Sequence, residues 1–307
     1  MLAAIALVLP IAGIGWAARC TTAVNTRAIQ EYESYVRSAE EAMPARFAQG
    51  RLSTASADMR RRLLMDFEGG APVRWNISQP EVNRRAAEWN GTVIDWVGAI
   101  HIRDSSLADL RAVLEDFDGY ATIYKPLIYD CRARKIDAAG GTAYELTYGY
   151  QNVYRAATVF PQHYAFEVKA RTEYRDAGSR AEPALMVHSR ASEIRESDSG
   201  VPGRNDFLEP FHDHGILWAL NTYWRARPEG RDLYVEFEAI TLARSGEDFM
   251  CRIGIFPIPR YVVARVMDSL PGESLDVMLA GTKAECERRG ARRARTESRD
   301  SQRASRE

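Results

Sequence analysis

Glu236 and Glu238 stand two residues apart in an alternating segment, and two carboxylates on one strand face are an arrangement suited to general acid/base chemistry. Their expected neighbours argue against that use. If the surrounding hairpin closes around Glu229-Gly230, facing residues have numbers that sum to about 459, and Asn221, Tyr223 and Arg225 share the face of the two acids. Strand charges in such company usually mark a solvated side, so the pair is expected to be structural and exposed. His212-Asp213-His214 is the densest group of metal-ligand types, but no third or fourth ligand is identifiable, so no metal site is expected. His188 and Arg190 share a strand face with Met186, which makes them candidate polar groups within a cavity; satisfaction inside the sheet ladder is the competing fate. No glycine-rich phosphate loop, serine nucleophile elbow or HExxH sequence is present. Cys131, Cys251 and Cys286 match no zinc or thioredoxin spacing.

The other chemically suggestive residues are aromatic. Tyr144, Leu146, Tyr148 and Tyr150 alternate onto one face, and Phe160, Tyr164, Phe166 and Val168 onto another, bringing hydroxyls into otherwise apolar surface. Ile216, Trp218, Leu220, Trp224, Val235, Phe237 and Ala239 form the apolar side of the hairpin. Such surfaces line a cavity or pack as ordinary core, and the spacing fits both.

These side chains need a sheet and a covering helix to hold them. Strand-like segments run over 92–102, 128–137, 142–154, 157–171, 184–196, 214–227 and 232–245, with turn signals at Gly140-Gly141 and Pro228–Asp232. Ser105 and Ser106 can cap a helix carrying Leu107, Leu110, Val113, Leu114 and Phe117 on one face. Near Pro259 an amphipathic helix begins, with Val262, Val263, Val266, Met267 and Leu270 in one stripe; Pro271-Gly272 predicts a kink or break before Leu275, Met278 and Leu279 resume it. Helices and strands do not alternate regularly, which gives an α+β domain of about seven antiparallel strands.

The ends have a different character. The opening MLAAIALVLPIAGIGWAA has no charged side chain before Arg19, so residues 1–20 read as a signal peptide or membrane anchor; Arg19 fits poorly before a lipidated Cys20. Residues 21–88 read as a helical annex, with a stripe through Ile29, Tyr32, Val36 and Ala39, followed by an irregular lead-in with a short helix near 58–65. Residues 288–307 hold eight arginines and three acids, a net +5 against −6 for the remainder of a chain whose total is −1. This tail is expected to be disordered and to favour an anionic membrane surface; export makes nucleic acid a poor partner.

Between Trp89 and Cys286, NGTVIDWVGAIHI, DFDGYATIYKPLIYDCR, DHGILWALNTYWR, LYVEFEAITLAR and DSLPGESL resemble bacterial exported members of the START and polyketide-cyclase-like (SRPBCC) superfamily. The resemblance implies a helix-grip fold over residues 89–287: a curved antiparallel sheet around a long C-terminal helix, with an apolar cavity between them. It implies no single activity, since members bind or move lipids, sterols or quinones and others cyclise polyketides.

The expected function is binding, with possible transport, of a lipid, isoprenoid or quinone at the cell envelope, without a cofactor. The expected cavity residues are Tyr148, Tyr150, Tyr164, Phe166, His188, Arg190, Trp218, Trp224, Phe237, Val263 and Met267. A cyclase- or hydrolase-type enzyme using the same cavity, and an envelope scaffold with a filled core, are the alternatives.

Overall fold

The alternating segments become strands of one antiparallel sheet, closed on one face by the C-terminal helix and on the other by the N-terminal helices. A computed structural model describes residues 21–137, 141–154, 162–179, 182–245 and 260–304. Residues 1–20, with Cys20, lie outside that description, as does Cys251.

In chain order the elements are β1 (Thr22–Ala23), α1 (Thr26–Ala48), α2 (Ala57–Glu68), β2 (Val73–Asn76), α3 (Pro80–Ala87), β3 (Gly91–Ile102), α4 (Leu107–Leu114), a 3-10 turn (Phe117–Gly119), α5 (Tyr120–Ile123), β4 (Ile128–Ile136), β5 (Thr142–Tyr154), β6 (Gln162–Gly178), β7 (Pro183–Glu196), β8 (His212–Asp213), β9 (Ala219–Glu229), β10 (Asp232–Arg244) and α6 (Arg260–Ala304). Among the described residues the main sheet has eight strands in the order β2-β3-β10-β9-β7-β6-β5-β4, while β1 and β8 form a separate pair. The eighth strand, β2, comes from the lead-in and lies along β3. The lead-in also contains α3, whose Pro80 occupies the first helical turn, where its missing N–H costs nothing.

Residues of β3, β4, β5, β6, β7, β9 and β10 share one core with Leu275, Leu279 and Cys286 of α6. Seven strands about 4.8 Å apart would span roughly 30 Å if flat, whereas a helix is only about 10 Å wide. The sheet therefore has to curl around α6. Gly98 allows a close approach of α6 to β3: a Cβ there would stand 2.7 Å from Leu279 Cδ1.

α6 differs from its expected form in two ways. It is one continuous helix through Pro271, so of the expected kink or break the break is absent. It also continues past residue 288 to Ala304, in place of the disordered tail. The charge pattern explains the second difference: Arg289 pairs with Asp116 and Arg293 with Asp109, holding the start of the arginine-rich segment against the α4 region. Asp109 also completes a capping box with Ser106.

The opposite face of the sheet carries the annex. Tyr32, Tyr35, Val36, Ala39 and Met43 of α1 pack over Val93, Tyr223, Ile240 and Leu242. This burial corrects one expectation. Glu236, Glu238, Asn221, Tyr223 and Arg225 do share a face turned away from α6, but that face is covered, and all five are buried. Arg225 bonds both acids, Arg46 of α1 reaches Glu238, and the Tyr234 hydroxyl donates to Glu236. Asp95 accepts from the Tyr35 hydroxyl at 2.6 Å.

Candidate ligand cavity

Between the sheet and α6 lies a cavity bounded by residues of β3, β4, β5, β6, β7, β9, β10, α4, α5 and α6, together with Leu127 before β4 and Ile216 and Leu217 before β9. Strand parity determines which side chains reach it. On β5 the even series continues through Tyr148 and Tyr150 to Asn152; on β6 the wall is Tyr164, Phe166, Thr172 and Tyr174. Trp224 and Phe237 are cross-strand partners, and their rings stack 4.3 Å apart on the wall. Along α6, Pro271, Ser274, Leu275 and Met278 close the opposite side.

The sequence-based candidates divide accordingly. Tyr148, Tyr150, Tyr164, Phe166, Trp224 and Phe237 lie together on the cavity wall. Val263 and Met267 belong to α6, but their side chains lie outside the described residues.

His188 and Arg190 are elsewhere. The β6–β7 register slips beside Lys169/Ala170, where Ser192 of β7 is skipped, and Leu185, Val187 and Ser189 then face the core and cavity side. His188 faces the annex, with Nε2 2.9 Å from Asn221 Oδ1 and its ring stacked on Tyr223, while Arg190 pairs at the surface with Glu33 at 3.2 Å.

Trp218 also leaves the expected wall. It precedes the regular part of β9, donates its backbone N–H to Leu242 O and its indole N–H to Asp213 at 2.9 Å, and packs in the annex core. The hairpin register sums to 461, with Trp224 opposite Phe237 and Glu229 opposite Asp232. That is a slip of two from the expected register, so the side-chain faces within the hairpin are unchanged.

Among the described residues that line the cavity, none has a charged side chain. Its polar groups are hydroxyls and one amide: Tyr150 Oη lies 2.7 Å from Ser274 Oγ, Asn152 Nδ2 donates to the same oxygen at 3.3 Å, and Thr172 donates to Ser189 at 2.8 Å. The sequence reading missed Asn152, Ser274, Thr172 and Ser189. Continuing the β5 alternation by one step would have found Asn152. Burial raises the pKa of Tyr148 and of Tyr150 above the ordinary phenol value, so both stay protonated at neutral pH and act as hydrogen-bonding phenols rather than bases. Cys131 and Cys286 are free, buried thiols pushed up by burial to about 12, which leaves them without thiolate character.

The histidine cluster is likewise structural. His214 Nδ1 lies 3.0 Å from Glu196, and Asp213 is bonded to Gly215 N–H and to Trp218. Burial, reinforced by the charge of Glu196, pushes the Asp213 carboxyl up to about 6. Among the described residues no three His, Cys, Asp or Glu side chains are grouped to hold a metal.

The curled sheet, the helix across it and the space between them settle the architecture. It is a helix-grip fold. No family model and no curated protein matches the sequence of this helix-grip chain. Among solved structures it is similar to human STARD10, with 12% identity over 74% of this chain and 80% of that one and a TM-score of 0.37. It is also similar to the ZhuI aromatase/cyclase of Streptomyces sp. R1128, with 16% identity, 65% and 95% coverage and a TM-score of 0.39. A STAR-related lipid transfer protein fragment from Xanthomonas axonopodis shares 12% identity, with 67% and 98% coverage and a TM-score of 0.35. At these values the likeness concerns the course of the chain alone.

Proposed function

We propose that this protein binds one neutral, hydrophobic molecule in the cavity between the sheet and α6. The observation that carries the reading is the wall: aromatic and aliphatic, with hydroxyl and amide groups at a few positions and no charged side chain among the described residues. An ionised ligand group buried there would lose water without gaining a counter-charge. About 140 Å3 is open to the centres of water molecules. At ~10–15 Å3 per water on that measure, the space holds on the order of ten waters, or a compact molecule of roughly ten to fifteen heavy atoms. A single ring system or a short isoprenoid matches that volume better than a two-chain phospholipid.

Burying roughly 300 Å2 of apolar ligand area contributes about 7 kcal/mol before the losses of freedom on association, which corresponds to a micromolar to millimolar affinity. The apolar opening of the sequence supports a place at the cell envelope, and the arginines near the end of α6 support contact with an anionic membrane surface. A carrier of this kind would take its cargo from the membrane and release it to a partner.

Native mass spectrometry of the full chain from its own host tests the binding reading, combined with equilibrium dialysis against tetralin, a compact hydrocarbon. A retained small molecule or saturable tetralin binding is expected. Finding neither overturns the proposal.

A further inference from the structure

The hydrogen-bonding state of the cavity hydroxyls narrows the ligand class. Most of them are already engaged within the protein: Tyr150 with Ser274, Thr172 with Ser189, and Tyr120 with Leu114 O at 2.7 Å. Thr241 reaches Ile94 O at 3.4 Å. Two wall hydroxyls, those of Tyr148 and Thr222, have no hydrogen-bond partner among the described residues. Tyr148 is flanked in the sheet by Cys131 and Val168, neither of which offers its phenol a strong acceptor side chain. Both residues are half-buried and line the cavity, so a ligand that offers an acceptor to either hydroxyl gains a hydrogen bond worth about 0.5–1.5 kcal/mol.

We infer that Tyr148 is the hydrogen-bond donor that recognises the ligand, and that the ligand is a compact neutral carbonyl compound, such as a cyclic ketone or quinone, whose oxygen accepts from this phenol. The inference rests on the cavity being a ligand site. Carbonyl chemistry follows from two constraints acting together: the acceptor has to be uncharged, because no cation lines the wall among the described residues, and it needs to offer lone pairs without demanding a matching acceptor from the protein. A ketone oxygen meets both. A carboxylate fails the first, and an alcohol leaves its own proton to be satisfied. Thr222 supplies a second hydroxyl on the β7–β9 side of the cavity, opposite Ser189 in the register.

The test compares 1-tetralone with tetralin, two ring compounds of nearly equal size that differ by one carbonyl, by equilibrium dialysis against the full chain and against Tyr148→Phe. The substitution removes only an unpartnered hydroxyl, and its fold is verified by circular dichroism and urea denaturation. The expected result is a loss of about three- to tenfold in 1-tetralone affinity with tetralin unchanged. Thr222→Val is the second variant, expected to weaken 1-tetralone by a smaller factor. If both probes bind the wild type and Tyr148→Phe leaves their ratio unchanged, the recognition role is overturned while the cavity reading stands. If neither probe binds and native mass spectrometry finds no retained molecule, the cavity reading falls and takes this inference with it; a retained molecule without a carbonyl overturns this inference alone.

Discussion

Arg225 Nη2 donates to Glu238 Oε2 at 2.6 Å, with both side chains buried beneath α1 on the sheet face turned away from the cavity. The pair that resembled acid/base machinery in the sequence is thus a fastening between sheet and annex. Arg225→Met should leave Glu236 and Glu238 without their shared cation and lower the unfolding free energy by about 3–5 kcal/mol, read from urea denaturation. Adding Glu236→Gln and Glu238→Gln should recover much of that loss, because the buried charges go with their partner. A single variant as stable as the wild type would contradict this account.

Asp95 should make stability fall as pH rises. Burial and the nearby Glu238 charge raise its carboxyl pKa well above the ordinary 3.8, against the opposing effects of the Tyr35 hydroxyl, Arg46 and Arg225. A folded-state pKa above the unfolded value means that its contribution is fully present below about 3.8 and is lost as pH climbs through the folded value. Asp95→Asn keeps an acceptor for Tyr35 and does not titrate. The Tm of the variant relative to wild type should therefore grow steadily above pH 4, and a gap independent of pH would refute the assignment.

Filling the cavity should separate binding from stability. Ala239 lies on the wall in β10, and Ala239→Phe would occupy space otherwise open to ligand. Tetralin affinity should drop at least about tenfold, while the unfolding free energy changes by no more than about 1–3 kcal/mol, the usual range for an enlarged core residue. Unaltered affinity in dialysis would place the ligand elsewhere.

Asp109 joins the cap of α4 to the arginine-rich end of α6, bonding Ser106 and pairing with Arg293. Those partners outweigh its partial burial and hold its carboxyl below the usual range, so its contribution is present above pH 4 and is lost as pH falls. Asp109→Ala should cost about 1 kcal/mol at pH 7 through loss of the hydrogen bond its carboxylate accepts from the Ser106 N–H. Hydrogen exchange should also show faster opening of residues 288–296.

Much of the fold could be read from local pattern. The alternation in Tyr144–Tyr150 and in the Trp224/Phe237 hairpin identified the strands and the residues that share a face, because a strand commits alternate residues to one face whatever its neighbours. His188 and Arg190 were misassigned for a reason that parity within one strand cannot reveal: which face of β7 looks inward depends on its pairing with β6 and β9 and on a register slip beside Ser192. Trp218 was misassigned because it lies one residue before the regular part of β9. The partnership of Tyr150 and Asn152 with Ser274 joins positions more than 120 apart, and no local signal encodes it.

By itself the sequence determined the α+β class, the order of seven sheet strands and the C-terminal helix, and the separation of Trp224 and Phe237 from Glu236 and Glu238, because these follow from periodicity along one element. Tertiary structure decided what each face met. The annex turned an apparently solvated ladder of Glu236, Glu238 and Arg225 into a buried ionic cluster, and α6 turned an apolar sheet face into a cavity wall. Burial belongs to the packing of whole layers, so the same alternating strand yields an exposed face or a core according to the helix laid across it.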